Sequence, residues 1–193
     1  MNTEEDLKGI NRIIAASFGK VSESVLAAVT VSGLFENLLH GIEREFSVPF
    51  VWLTLIENEF AGKLINTFNA SEILKNRFSV VSADFIRTIL PADTKPVLAN
   101  RDLKPFYRLL PSERKYFVKS IAVVPFTIGG RLAGTWNNGD ADANRYEPDM
   151  KTDYIENLSA QISRRLDEII GLTADEATQA IIARVEKEAY HDA

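Results

Sequence analysis

The stretch from Ser120 to Asp140 constrains the fold more than any other part of this 193-residue chain. Two apolar runs flank Gly129-Gly130, and the first of them, Ile121 to Ile128, is rich in β-branched and aromatic residues. Because glycine adopts positive φ without steric cost, a Gly-Gly pair between two β-prone runs predicts a β-hairpin. The first strand is apolar on both faces, so we expect other elements to cover both of them.

The N-terminal region, residues 3–46, is predicted to be helical and to carry a seam with heptad spacing. Ten of the twelve seam positions are apolar, and heptad spacing is typical of a helix that packs against a partner helix. Gly19, followed by Ser22 and Ser24, leaves open whether the segment is one helix or two. A monomer would expose a long apolar strip, so we expect a homodimer formed through the helices. The strip consists of Ile14, Phe18, Val21 and Val25.

The region between this helical segment and the hairpin is predicted to contain strands and short helices. Val48–Ile56 and Gly62–Phe68 are expected to be strands joined by a polar turn. Phe78–Leu90 has the apolar spacing of a helix. Pro96–Leu98 is a candidate for a short strand, and a short helix is expected from Ser112.

The C-terminal region is predicted to form two helices. Pro148 suits the first turn of a helix, and Gly171 is expected to end that helix. Thr173 and Glu176 form a capping box for a final helix, whose narrow apolar face should dock or pair. That face consists of Ala177, Ile181, Val185 and Ala189. The predicted organisation is a dimerising segment (1–33), a central domain (34–172) and a C-terminal amphipathic helix (173–193).

The hairpin and its flanks resemble the C-terminal half of a GAF domain, and the resemblance covers roughly residues 30–172. Pro148–Tyr154 is especially similar to the bacterial GAF-like family of unknown function, and Phe46–Ile56 resembles the first GAF strand. The hairpin motifs that carry the resemblance are Ser120-Ile-Ala-Val-Val-Pro125-Phe, Gly129-Gly-Arg-Leu-Ala-Gly134 and Asn144-Arg-Tyr146-Glu-Pro148-Asp-Met150.

The resemblance implies an α+β fold of the sandwich type, as in GAF and PAS domains. It implies a central antiparallel sheet of about five or six strands. The N- and C-terminal helices would pack on one face of this sheet, and a pocket-forming segment would cover the other face.

The composition limits the chemistry that the chain can perform. It has no cysteine, which excludes disulfides, thiolate chemistry and thiol-linked chromophores. The net charge of −5 argues against general nucleic-acid binding. No run of about 18 apolar residues is present, and the acidic start at Glu4-Glu5-Asp6 is unlike a signal peptide. We therefore expect a cytoplasmic protein that neither binds nucleic acid nor inserts into a membrane.

The sequence offers no positive sign of catalysis or of a metal site. Asp140-x-Asp142-x-Asn144 opens like a calcium loop but lacks the Gly and Glu that an EF-hand requires. His40 and His191 are the only histidines, and a metal site or a His-activated nucleophile needs more convergent partners. We expect a protein without catalytic residues, metal or cofactor.

A basic segment, residues 75–119, is the feature that predicts a binding site. It holds ten Lys/Arg and four acids, a net charge of +6 in a chain that is otherwise −11. In GAF domains the segment between the middle helix and the hairpin walls the ligand pocket, so the resemblance puts this cluster near a pocket. Ligand pockets combine apolar walls with a few polar groups, and Arg binds carboxylates and phosphates. The predicted ligand-binding residues are Trp52, Phe85, Arg101, Lys104, Phe106, Tyr107, Arg108 and Ser120.

Two functions remain open at this point. The first is a non-enzymatic sensory or regulatory module that dimerises through its helices and binds a small molecule, an anion if the basic residues face the pocket. The second is a structural or protein-interaction domain whose pocket is filled by its own side chains. In the second case the basic segment is a solvated face with core aromatics beneath it, and Trp52 and Trp136 are core residues.

Overall fold

The computed structural model describes residues 3–92 and 95–191, which form helices and one open five-stranded sheet. The chain therefore has a mixed α/β fold. In chain order the elements are α1 (Glu4–Ala27), α2 (Val31–Phe46), β1 (Phe50–Ile56), α3 (Ala61–Asn69), β2 (Phe78–Val81), α4 (Ala83–Ile89), β3 (Val97–Ala99), a 3₁₀ turn (Lys104–Phe106), β4 (Ser120–Ile128), β5 (Arg131–Asp140) and α5 (Asp153–His191).

The N-terminal region consists of two helices, and the break between them lies at residues 28–30. Thr3 begins α1 through a capping box with Asp6, whose backbone N lies 3.3 Å from the Thr3 hydroxyl. The Thr30 hydroxyl accepts a hydrogen bond from the backbone N of Gly33 at 3.0 Å and begins α2. Gly19, the predicted breakpoint, lies inside α1. The cap at Thr30 therefore determines the break, because an interior glycine costs only about 1 kcal/mol.

The sheet has the strand order β2-β1-β5-β4-β3. The predicted hairpin is present as β4 and β5, and Gly129 and Gly130 have φ values of 58° and 75° in its turn. The sheet is mixed, however, and the predicted all-antiparallel pairing is wrong because β1 pairs parallel with β2. The physical reason is the connection between β1 and β2. Helix α3 follows β1 at the place where a hairpin strand was predicted, so the chain crosses back before β2 begins and the two strands run in the same direction.

Three other predicted elements differ from the structure. The short helix expected from Ser112 is absent, and residues 112–117 form turns instead. Gly62–Phe68 lies in helix α3, with Ala61, Leu64 and Phe68 buried on one face. Phe78–Leu90 is divided into β2 and α4, because the Ser82 hydroxyl accepts a hydrogen bond from the backbone N of Phe85 at 3.2 Å and starts a new helix.

The C-terminal region is one helix from Asp153 to His191, so the predicted start at Pro148 and end at Gly171 are wrong. The side chains of Thr173 and Glu176, the predicted capping box, lie outside the described residues. The predicted boundaries of the three parts of the chain fall inside helices, residue 33 in α2 and residue 172 in α5. The three-part division remains a prediction.

In the described part of the chain, no helix combines the length and apolarity needed to cross a bilayer.

The sheet separates two hydrophobic layers. On its first face, α1, α2 and α5 pack over sheet residues that include Val124, Phe126 and Trp136. On its second face, α4 and the segment 103–118 pack over Trp52, Ile121 and Val123. This is the layer arrangement that the resemblance implied, with helices from both ends of the chain on one face.

Candidate functional site

The eight predicted ligand-binding residues divide into a buried group and an exposed group. Trp52, Phe106 and Ser120 are buried, and Phe85 is half-buried. The exposed residues are Arg101, Lys104, Tyr107 and Arg108.

The buried group belongs to the core on the second face of the sheet. The indole Nε1 of Trp52 donates a hydrogen bond of 2.6 Å to the carbonyl oxygen of Leu109, which ties β1 to the segment above it. Phe106 packs in the same cluster, together with Leu109, Leu110, Val118 and Ile121. The Ser120 hydroxyl donates to the carbonyl oxygen of Asp142 at 2.6 Å and so anchors the loop after β5. These side chains pack in the core beneath the segment in which the resemblance implied a pocket.

The exposed cations have separate surroundings. The guanidinium carbon of Arg108 lies 4.3 Å from the ring centroid of Phe85, a cation–π contact. Arg101 lines an open depression together with Glu147 and Asp149, whose carboxylates oppose its charge. Lys104 begins the 3₁₀ turn and is exposed. A role for these residues in ligand binding remains a prediction.

Two other residues of the basic segment, Arg77 and Arg114, do line a cavity. It has a volume of about 340 Å³ and lies beside Trp52 and Phe50. Arg77 pairs with Glu43 and donates from Nε to the carbonyl oxygen of Val51 at 3.2 Å. The guanidinium carbon of Arg114 lies 5.1 Å from the Phe50 ring centroid. Because these contacts engage both cations and Glu43 also lines the cavity, the site holds little uncompensated positive charge.

A second cavity of about 320 Å³ lies on the opposite face of the sheet, where α1, α2 and α5 meet β5. Most of its wall is apolar, and its polar end is formed by Asn138, Arg145 and Tyr146. Burial raises the pKa of Tyr146 to about 12, and the positive charge of Arg145 offsets part of that rise. The sequence analysis missed this cavity, although Arg145 and Tyr146 lie in one of the motifs quoted above.

The described residues contain no group of three or more His, Asp or Glu side chains arranged to hold a metal ion. His40 is exposed on α2, and the side chain of His191 lies outside the described residues. Comparisons with models of known protein families and with curated proteins found no match to this chain. Its function must therefore be argued from its own residues.

Proposed function

We propose that this chain is a non-enzymatic, GAF-like regulatory module that acts as a cytoplasmic homodimer, with the dimer contacts made by the projecting ends of α1 and α5. The observation that carries the proposal is the set of exposed apolar side chains on those two ends.

The layer arrangement supports a GAF-like fold. The resemblance implied helices from both termini on one face and a covering segment on the other, and the two hydrophobic clusters follow that division. The strand count of five lies within the implied range. The parallel pairing of β1 with β2 is the departure from the implied sheet.

Helices α1 and α5 run parallel and are offset along their common direction. The Phe18 ring stacks on Tyr154 with centroids 5.2 Å apart, and the Ser22 hydroxyl donates to the side-chain oxygen of Gln161. Arg165 donates to the carbonyl oxygen of Ala28 at 3.0 Å and 2.8 Å. The contacts between the two helices thus begin near residue 18 of α1 and end near residue 165 of α5. The first turns of α1 and the last turns of α5 extend past this contact region.

These projecting ends carry apolar side chains that the chain itself does not cover. The exposed fractions lie between 46% and 68% for the six residues concerned. Exposed apolar side chains grouped on one element are typical of a surface that contacts another protein. The six residues are Leu7, Ile10, Ile13, Ile181, Ile182 and Val185.

Most of the apolar strip predicted to form the dimer contact is covered within one chain. Val21 and Val25 are fully buried within one chain, and Val21 packs close to Gly41 of α2. Phe18 is half-buried against Phe46 and Tyr154. The heptad seam of α1 therefore packs against α2 and α5 of the same chain. The α1 side chains that support contact with a second copy are instead Leu7, Ile10 and Ile13.

The filled core on the second face of the sheet supports the view that no ligand occupies the predicted pocket. Trp52, Phe106 and Leu109 are each less than a tenth exposed. A ligand at this place would have to displace these side chains and break the Trp52–Leu109 hydrogen bond. In this proposal the helices that form the dimer, and not a ligand in this pocket, carry the regulatory signal.

Sedimentation velocity of the wild-type protein and three variants tests the proposal. We expect a dimer for the wild type and a shift to monomer for Ile10→Glu/Ile13→Glu and for Ile181→Glu/Val185→Glu, because charges are poorly tolerated in an apolar interface. Tyr116→Glu is the matched control, since Tyr116 is 76% exposed but lies outside the helices. A monomeric wild type, or dissociation by the Tyr116 control alone, would refute the proposal.

A further inference from the structure

We propose that the cavity between α1, α2, α5 and β5 binds a free amphipathic monoanion, a carboxylate with a short aliphatic or aromatic body. This inference goes beyond the proposed function, because the site lies within a single chain and does not require a second copy. Its volume of about 320 Å³ falls at the lower end of the range of small-molecule pockets, roughly 300–1,000 Å³.

The walls of the cavity suit an apolar body. Ile14 and Phe18 come from α1, Ile42 and Phe46 from α2, and Trp136 from the centre of β5. Ile42 and Trp136 are buried, whereas Ile14 and Phe18 are half-buried and form the side of the cavity nearer to solvent. An aliphatic chain or ring that enters here would remove apolar surface of both partners from water, which favours binding.

The polar end of the cavity suits an anionic head. The described residues that line it include the cations Arg145 and Lys151 and no acid. Arg145 donates from Nη2 to the carbonyl oxygen of Phe46 at 2.5 Å, and its Nη1 lies 3.4 Å from a carboxylate oxygen of Asp140. A guanidinium has five N–H donors, so these two contacts leave donors for a carboxylate. Lys151 is exposed at the rim and adds a second positive charge.

A hydrogen-bonded network holds this polar end in place. The indole Nε1 of Trp136 donates to the side-chain oxygen of Asn138 at 3.0 Å, and both residues are buried. The side chains of Asn138 and Arg145 line the cavity beside Tyr146. Because each polar group is oriented by another, the head-group end is pre-organised and loses little freedom when a ligand binds.

The position of the cavity gives ligand binding a direct connection to the helices. A molecule there would contact Ile14 and Phe18 of α1 and Ile155 of α5 at the same time. Ile14 lies in the turn that follows Leu7, Ile10 and Ile13, the exposed residues of α1. Occupation of the cavity would therefore stabilise one arrangement of α1 relative to α5.

Isothermal titration calorimetry with three probes of equal chain length tests the inference: octanoate, octan-1-ol and octylamine. We expect saturable binding of one octanoate per chain, weaker binding of octan-1-ol and the weakest binding of octylamine, since only the head group differs. Absence of saturable octanoate binding, or equal affinity for the three probes, would overturn the inference. Sedimentation with phosphatidylglycerol vesicles separates a lipid surface from a free ligand, and vesicle binding without octanoate binding would also overturn it.

Four variants locate the site. Ile14→Trp should fill the cavity and abolish octanoate binding, whereas Val29→Trp, at an exposed position outside the lining, should leave the affinity unchanged. Lys151→Glu should weaken binding roughly three- to tenfold, the effect of a charge at a partly exposed site. Lys63→Glu makes the same charge change on α3 and should have no effect. Full octanoate affinity in a folded Ile14→Trp variant would contradict the assignment, whatever the oligomeric state of the protein.

Discussion

Gly134 of β5 lies directly opposite Phe126 of β4, and the space between them admits no side chain. A Cβ atom at position 134 would lie 2.5 Å from the Phe126 ring and 2.5 Å from the carbonyl oxygen of Thr54 in β1. Three neighbouring strands therefore pack closely at this point, and the carbonyl cannot move without disturbing the sheet.

Gly134→Ala should therefore destabilise the protein by roughly 1–3 kcal/mol, the usual cost of overpacking. The matched control is Gly171→Ala, because Gly171 lies in α5 with nothing within 4 Å of the position of its Cβ. That change should raise the free energy of unfolding by about 1 kcal/mol or less. Urea denaturation of both variants measures the effect, and equal shifts of the two would show that the strands are not so closely packed.

Val124→Asp should prevent folding. Val124 is fully buried in β4, which lies between β5 and β3 in the sheet. An unpaired carboxylate there would lose its hydration without gaining a partner. Arg131→Asp, at an exposed position of β5, should stay folded, with the loss of its exposed ion pair to Glu59 costing at most about 1 kcal/mol. Circular dichroism distinguishes the two, and a folded Val124→Asp protein would disprove the central position of β4.

Substitutions of the predicted ligand-binding residues should lower the free energy of unfolding strongly where the residue is buried and little where it is exposed. Trp52→Ala should cost roughly 3–5 kcal/mol, because it leaves a void in a filled core and removes the hydrogen bond to Leu109. Arg101→Glu and Lys104→Glu should each change the free energy of unfolding by about 0.5 kcal/mol or less, since both residues are exposed. Chemical denaturation checks these values. A large stability change in either charge variant would indicate that the cations support the fold.

The buried hydroxyl of Tyr146 predicts a loss of stability at alkaline pH. Its pKa of about 12 in the folded protein lies above its ordinary value of 10. The folded state therefore holds the proton more tightly than the unfolded state, and the free energy of unfolding falls as the pH rises from 10 to 12. For a shift of this size the loss approaches roughly 2–3 kcal/mol.

Tyr146→Phe should remove this part of the pH dependence. Denaturation midpoints of both proteins at intervals between pH 8 and pH 12 measure the difference, and the wild type should show the steeper decline above pH 10. Absorbance at the tyrosinate wavelength gives an independent control, because the variant should lack one late-titrating tyrosine. Parallel declines in the two proteins would contradict the proposed burial of this hydroxyl.

Local patterns in the sequence predicted the hairpin and the covering of both faces of its first strand. Gly129-Gly130 between apolar runs specifies a turn by backbone geometry alone, and β4 is buried on both faces, as its composition requires. The short segments were harder to assign. Leu64, Ile65 and Phe68 fit a strand about as well as a helix, and only the packing of Leu64 and Phe68 in the core distinguishes the two.

The candidate site could be predicted only in part, for a related reason. The apolar character of Trp52 and Phe106 predicts that they either line the wall of a pocket or belong to the core. The local sequence does not distinguish these two positions. The direction of an exposed cation such as Arg108 depends on its neighbours in space, here the Phe85 ring. The second cavity combines distant parts of the chain, from Ile14 to Ile155, so no local spacing reveals it.

The central claim, a homodimer joined through the projecting helix ends, is tested most directly by electron paramagnetic resonance distance measurement. Because the chain has no cysteine, Asn11→Cys, at an exposed position of α1, carries a single spin label per chain. Two copies joined through α1 should give a defined dipolar distance, and its signal should diminish when unlabelled protein is added. A labelled protein without any dipolar signal at high concentration would contradict the claim.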